Sequence, residues 1–200
     1  TVVPDFPTTA PIPDFSVTSQ DPLSIQGATM IVLPVIDRGD GNKVLPGQDL
    51  SVQTGIDVHR VLQQAEDDAA QAGVITRIPV WSPPAGCPDL RTVVLIGIEA
   101  GEPESVRRSA AVLARQARGH GEVVILAPQL VAEQLRAAVE GIVLGAFELS
   151  SRQDPPPPPA GRYWFATEND SNVDPDTLAR ALAVARAAWQ ARRLATMPSN

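Results

Sequence analysis

The sequence predicts an α/β fold, a mostly parallel mixed sheet flanked by helices, and three observations predict it. Residues Ala28 to Ile36 form a nearly unbroken apolar run, the mark of a strand buried on both faces. Residues 92–126 read as strand, helix, strand, a spacing that forces parallel strands and a right-handed crossover. Helical periodicity then recurs twice more, over 129–149 and after Asp174.

The elements follow in order. Residues 1–22 carry five prolines among Thr, Ser and Asp and read as an extended N-terminal arm, with Phe6 and Phe15 as possible anchors. After the first strand, Asp37 to Gly47 supplies turn residues. Residues 57–70 place Val58, Val61, Leu62, Ala65 and Ala69 at helical spacing, with Asp57 as N-cap. Val74–Trp81 and Thr92–Ile98 are strands separated by a Pro-rich loop. The helix over 104–118 aligns Val106, Ala110, Leu113, Ala114 and Ala117, and Glu122–Leu126 returns as a strand. Gln129–Leu149 reads as a long helix in which Gly141 and Gly145 permit close approach to a neighbour. Pro155–Pro159 is a polyproline II segment that stands off the surface, read as a stiff loop before a docking motif. Arg162–Ala166 is an expected edge strand. Asp174-Pro175 opens the last helix with an N-cap and a proline at its first position, and Pro198 stops it.

Composition narrows the function. Of 200 residues, 44% are hydrophobic but only 4% aromatic, so the core is aliphatic. The net charge is −7 with a single lysine, Lys43, a poor match for phosphate neutralisation and hence for nucleic acid. No apolar run approaches the ~18 residues of a membrane span, and no basic start leads into an apolar stretch, so a cytoplasmic location is expected. Within that setting Arg38-Gly39-Asp40 is a chance tripeptide.

Chemical constellations are sparse. The lone Cys87 excludes an internal disulfide, and a catalytic thiol would need His59 or His120 beside it. There is no Gly-x-Gly-x-x-Gly, Walker loop, His-Glu-x-x-His or Gly-x-Ser-x-Gly. Gly97 and Gly101 follow a strand and could cradle a phosphate at a helix N-terminus, but Glu99, Glu102 and Glu104 crowd that turn. Glu66-Asp67-Asp68 are consecutive on a helix and diverge, as a solvated face does. No catalytic, metal or binding residue is assigned.

Two stretches resemble the leucyl aminopeptidases. Ala138-Val139-Glu140-Gly141-Ile142-Val143-Leu144-Gly145-Ala146-Phe147-Glu148-Leu149 is similar to the Ala-x-Glu-Gly-x-x-Leu-Gly-x-Tyr-x-Phe segment near the end of their N-terminal domain. Ala188-Trp189-Gln190-Ala191-Arg192-Arg193-Leu194-Ala195-Thr196-Met197-Pro198-Ser199-Asn200 resembles the family's Ala-Arg-Asp-Leu-x-Asn-x-Pro-Ser-Asn. Arg193 replaces the usual Asp and Thr196 the frequent Asn. The strand ending Val93-Val94-Leu95-Ile96-Gly97-Ile98 matches less specifically. The resemblance implies a macro-domain-like fold over 23–172 and a linker helix over 173–200. That helix would lead to a catalytic domain absent from this chain, which is expected to begin just after Asn200. It further implies two divalent metals, zinc or manganese, in the catalytic domain and a hexamer with N-terminal domains outward. The family's metal motif, Asn-Thr-Asp-Ala-Glu-Gly-Arg, does not occur in the sequence. Two other readings are a free-standing macro-like module that binds a nucleotide derivative such as ADP-ribose and an interaction domain that uses the proline run.

Overall fold

A computed structural model of the chain describes residues 8–37, 43–44, 56–64, 69–99, 102–150, 156–168 and 173–196. In order these form β1 (Thr8–Thr9), β2 (Asp14–Thr18), a 3-10 turn (Pro22–Ser24), β3 (Ala28–Asp37), β4 (Lys43–Val44), α1 (Val58–Gln64), β5 (Ile75–Pro79) and β6 (Thr92–Glu99). There follow α2 (Pro103–Gln116), β7 (Glu122–Leu126), α3 (Ala132–Ala146), β8 (Leu149–Ser150), β9 (Arg162–Ala166) and α4 (Pro175–Thr196). Asp57 caps α1 as its sequence predicts, its Oδ1 accepting from Arg60 N at 2.8 Å. Asp174 does the same for α4, accepting from Asp176 N at 3.1 Å.

The main sheet runs β2-β9-β7-β3-β6-β5, with β4 pairing off this path with the end of β3. Neighbours from β2 through β6 are parallel, and β5 runs antiparallel to β6. β3 lies inside the sheet and is buried on both faces, as its apolar run predicts. Met30 and Val32 point into one core, while Ile31, Leu33 and Val35 point into the other. α2 and α3 cover the first face together with α4, and Val58 and Leu62 of α1 cover the second. The connection from β6 through α2 to β7 is the parallel crossover unit expected from residues 92–126.

The structure differs from the expectations in four places. β9, expected at the edge, is interior, between β7 and β2. The edge belongs to β2, which the arm contributes: Phe15 stacks on Tyr163 and Phe165 at centroid distances of 5.8 and 6.5 Å. α3 begins at Ala132 rather than 129, because Leu130 N closes a turn onto Ala127 O and Val131 is extended. The described part of the proline run does not stand away. Pro159 is buried, Pro157 O accepts from Arg118 Nη1, and Pro158 O accepts from Gly119 N. Gly119 has a φ of 80°, a left-handed turn that suits glycine. The segments with Arg38-Gly39-Asp40, Glu66-Asp67-Asp68, Gly101, Pro155 and Pro198 lie outside the described residues, as does the His59 side chain.

Candidate functional site

The stretch Ala138–Leu149 shows what its residue pattern is for. Gly141 and Gly145 lie one turn apart where α3 crosses α2. A Cβ on Gly141 would sit 2.3 Å from Arg107 O and 2.9 Å from Ala110 Cβ. One on Gly145 would sit 2.4 Å from Ala111 O. Glycine is therefore the residue that lets the two backbones meet. Glu140 is buried beside this seam and satisfies both carboxylate oxygens. Oε2 accepts from Arg107 Nε at 3.2 Å and Oε1 from Arg136 Nε at 2.9 Å. The charge is paired, and its job is to hold helices together.

The second stretch lies against the first. Trp189, buried on α4, meets Phe147 edge-on at 5.8 Å. The Arg192 guanidinium stands 4.8 Å over the Phe147 ring and donates to Leu144 O at 3.2 Å. Arg193, where the family has Asp, stands 5.8 Å over the Trp189 ring. The end of α3 and the last turns of α4 thus pack directly on one another.

Among the described residues the candidate reactive groups are not brought together. Cys87 is buried, donates to Ala28 O at 3.4 Å, and has its thiol pushed up by burial and then by Asp89, which opposes thiolate formation. His120 instead pairs through Nδ1 with Thr29 Oγ1 at 3.1 Å, and burial, helped by Arg77 and Arg91, holds it below the ordinary histidine range. Gly97 is no phosphate cradle. Its N–H donates to Val74 O and its carbonyl accepts from Gly73 N and Ser109 Oγ. A Cβ there would lie 2.1 Å from Gln71 O, so the glycine admits the 69–71 turn. Among the described residues no three His, Cys, Asp or Glu side chains form a metal site, so the metals that the family implies find no fit there. Among the same residues no helix is long and apolar enough to cross a membrane.

One concavity escaped the sequence reading. A cavity of about 210 Å³ opens at the carboxyl ends of β3, β6 and β7, under α2 and the start of α3. Pro34 lines it, at a point where β3 has passed its last pair with β7 (Val32↔Ile125) and has not reached its first with β4 (Ile36↔Val44). A proline inside an otherwise central strand was the available signal, because it supplies no ladder donor.

No protein-family model matches the chain. A protein of Rhodococcus jostii (strain RHA1) described as a probable cytosol aminopeptidase is 31% identical over 184 residues, covering 86% of this chain and 34% of its own length. The chain thus spans about a third of that relative. Among solved structures, a mutant of tomato leucine aminopeptidase superposes with a TM-score of 0.60 at 14% identity, over 92% of this chain and 38% of its own. The bottromycin maturation enzyme BotP in complex with Mn gives 0.54 at 18% identity, over 86% and 32%. At those identities the structures speak for the fold alone, and they support the α/β arrangement described above. The chain is similar to the leucyl (cytosol) aminopeptidases in sequence and fold, and the share of its relative that it spans is consistent with their N-terminal domain.

Proposed function

We propose that the chain acts as a non-catalytic, macro-like N-terminal domain of a leucyl aminopeptidase, shaping assembly and access of peptides to a catalytic domain. The sequence relationship to a cytosol aminopeptidase over most of the chain carries this reading. In it, residues 1–22 are an arm, 23–172 the domain and 173–200 the linker helix. The partner is a catalytic domain, on the same polypeptide or a second chain, within a hexamer. Two divalent metals, zinc or manganese, would be held by that domain and would activate water for release of N-terminal residues. The setting is cytoplasmic, and nucleic acid is not a partner. The occupied backbone groups of Gly97 support this reading over nucleotide binding.

The test is direct. The purified chain should not hydrolyse a leucyl p-nitroanilide above a metal-only blank with added Mn²⁺ or Zn²⁺; turnover would sink the proposal. Calorimetry with ADP-ribose should show no binding heat, whereas micromolar affinity would establish the nucleotide reading instead. A parent enzyme stripped of these residues should change its oligomeric state or the size of peptide it accepts. If neither moves, the assigned role is wrong.

A further inference from the structure

We propose that the cavity at the carboxyl end of the sheet binds a compact, uncharged apolar ligand about the size of one substituted aromatic ring. Its position comes first. In open α/β sheets the crevice beyond the carboxyl ends of parallel strands is the general ligand site, because there the chain leaves the sheet and helices begin. Here β7 parts from β3 after Ile125, and Pro34 continues β3 paired on the β6 side only, until Ile36 meets β4. The resulting gap is walled by Ile98 from β6, and by Val106 and Leu113 from α2.

The chemistry of the wall selects the ligand. The described lining residues include no Lys, Arg, Asp, Glu or His, and their polar side chains are those of Ser109, Gln129 and Gln134. The hydroxyl of Ser109 donates to Gly97 O at 2.7 Å and accepts from Gly73 N at 2.9 Å, so it is already used. Ala127 N donates to Ala166 O and Leu130 N to Ala127 O, so those amides are engaged as well. An anion would meet no positive side chain among the described lining residues. An apolar cavity of about 150 Å³ is known to stay dry and accept benzene, so 210 Å³ accommodates a ring with a small substituent. The inference rests on this geometry and not on the aminopeptidase reading.

Toluene and indole are suitable probes, with benzoate as the anionic counterpart, added to the 200-residue chain labelled at Ile, Leu and Val methyls. Toluene should shift the methyls of Ile98, Val106, Leu113 and Ile125 and give intermolecular NOEs to them, whereas benzoate should bind at least tenfold more weakly. Val106→Phe, which fills the cavity, should weaken toluene binding at least tenfold. Ala110→Val, which narrows it from the same helix, serves if the first variant does not fold. Absence of toluene shifts in these methyls, equal binding of benzoate, or undiminished binding in the folded filled variant would each overturn the proposal.

Discussion

Alanine at Gly141 would place a methyl carbon 2.3 Å from Arg107 O and 2.9 Å from Ala110 Cβ, about 1 Å inside ordinary contact with the oxygen. The first neighbour is backbone within α2, so no rotamer change can relieve it, and the helices must separate. Overpacking of this kind costs about 3 kcal/mol, the upper part of its usual range, because the obstacle is rigid. Alanine returns about 1 kcal/mol through its better helix propensity. The expected net loss is about 2 kcal/mol, or a fall in Tm of roughly 4–8 °C for a chain of this size. Urea unfolding of Gly141→Ala should show it as a lowered midpoint at unchanged slope. Gly121→Ala is the control, since an added Cβ there meets nothing within 4 Å. If Gly141→Ala matched the wild type or the control, helix propensity would outweigh the seam, and the close approach would not be what the glycine provides.

Phe147→Ala should cost about 2–3 kcal/mol by removing the ring that Trp189 and Arg192 pack on, with amide exchange in α4 accelerating before that of the sheet. Equal acceleration everywhere would mean that α4 is not a separable joint. Among the described residues the buried Tyr163 hydroxyl has no hydrogen-bond partner, and burial pushes its pKa up, so Tyr163→Phe should be neutral or more stable by up to about 1 kcal/mol in thermal unfolding. A clear loss would reveal a hidden partner. His120 is held below its ordinary pKa, so the unfolded chain takes up its proton first as pH falls through about 6.5; stability then declines until the folded histidine also protonates. Between pH of about 7.5 and 5.5, His120→Gln should lose less stability than the wild type; parallel curves would count against the assignment.

Local pattern made much of this fold legible. The β3 run, the β6–α2–β7 crossover and the caps at Asp57 and Asp174 depend on neighbours in sequence, and the structure has them where residue type placed them. β2 was hidden because its five residues sit among prolines and pair only with β9, so nothing local marks them as a strand. That omission also moved β9 to the edge. The family motif was legible as letters, but its meaning was not: Gly141, Gly145 and Glu140 explain themselves only when α2 lies alongside. The cavity likewise depends on where β7 departs from β3, which spacing does not encode; Pro34 alone hinted at it.

The parallel register of β2 on β9, with Val17 opposite Phe165, has a consequence for biosynthesis. The two strands are about 150 residues apart, which at ribosomal rates of about 5–20 residues per second is roughly 8–30 s of waiting. Throughout that interval Phe15 has no aromatic partner and β2 no ladder to join, so this edge closes among the last contacts to form. A short strand flanked by prolines suits that delay, because Pro13 and Pro22 on either side keep the exposed ladder short, and a short edge is a poor template for a neighbouring chain.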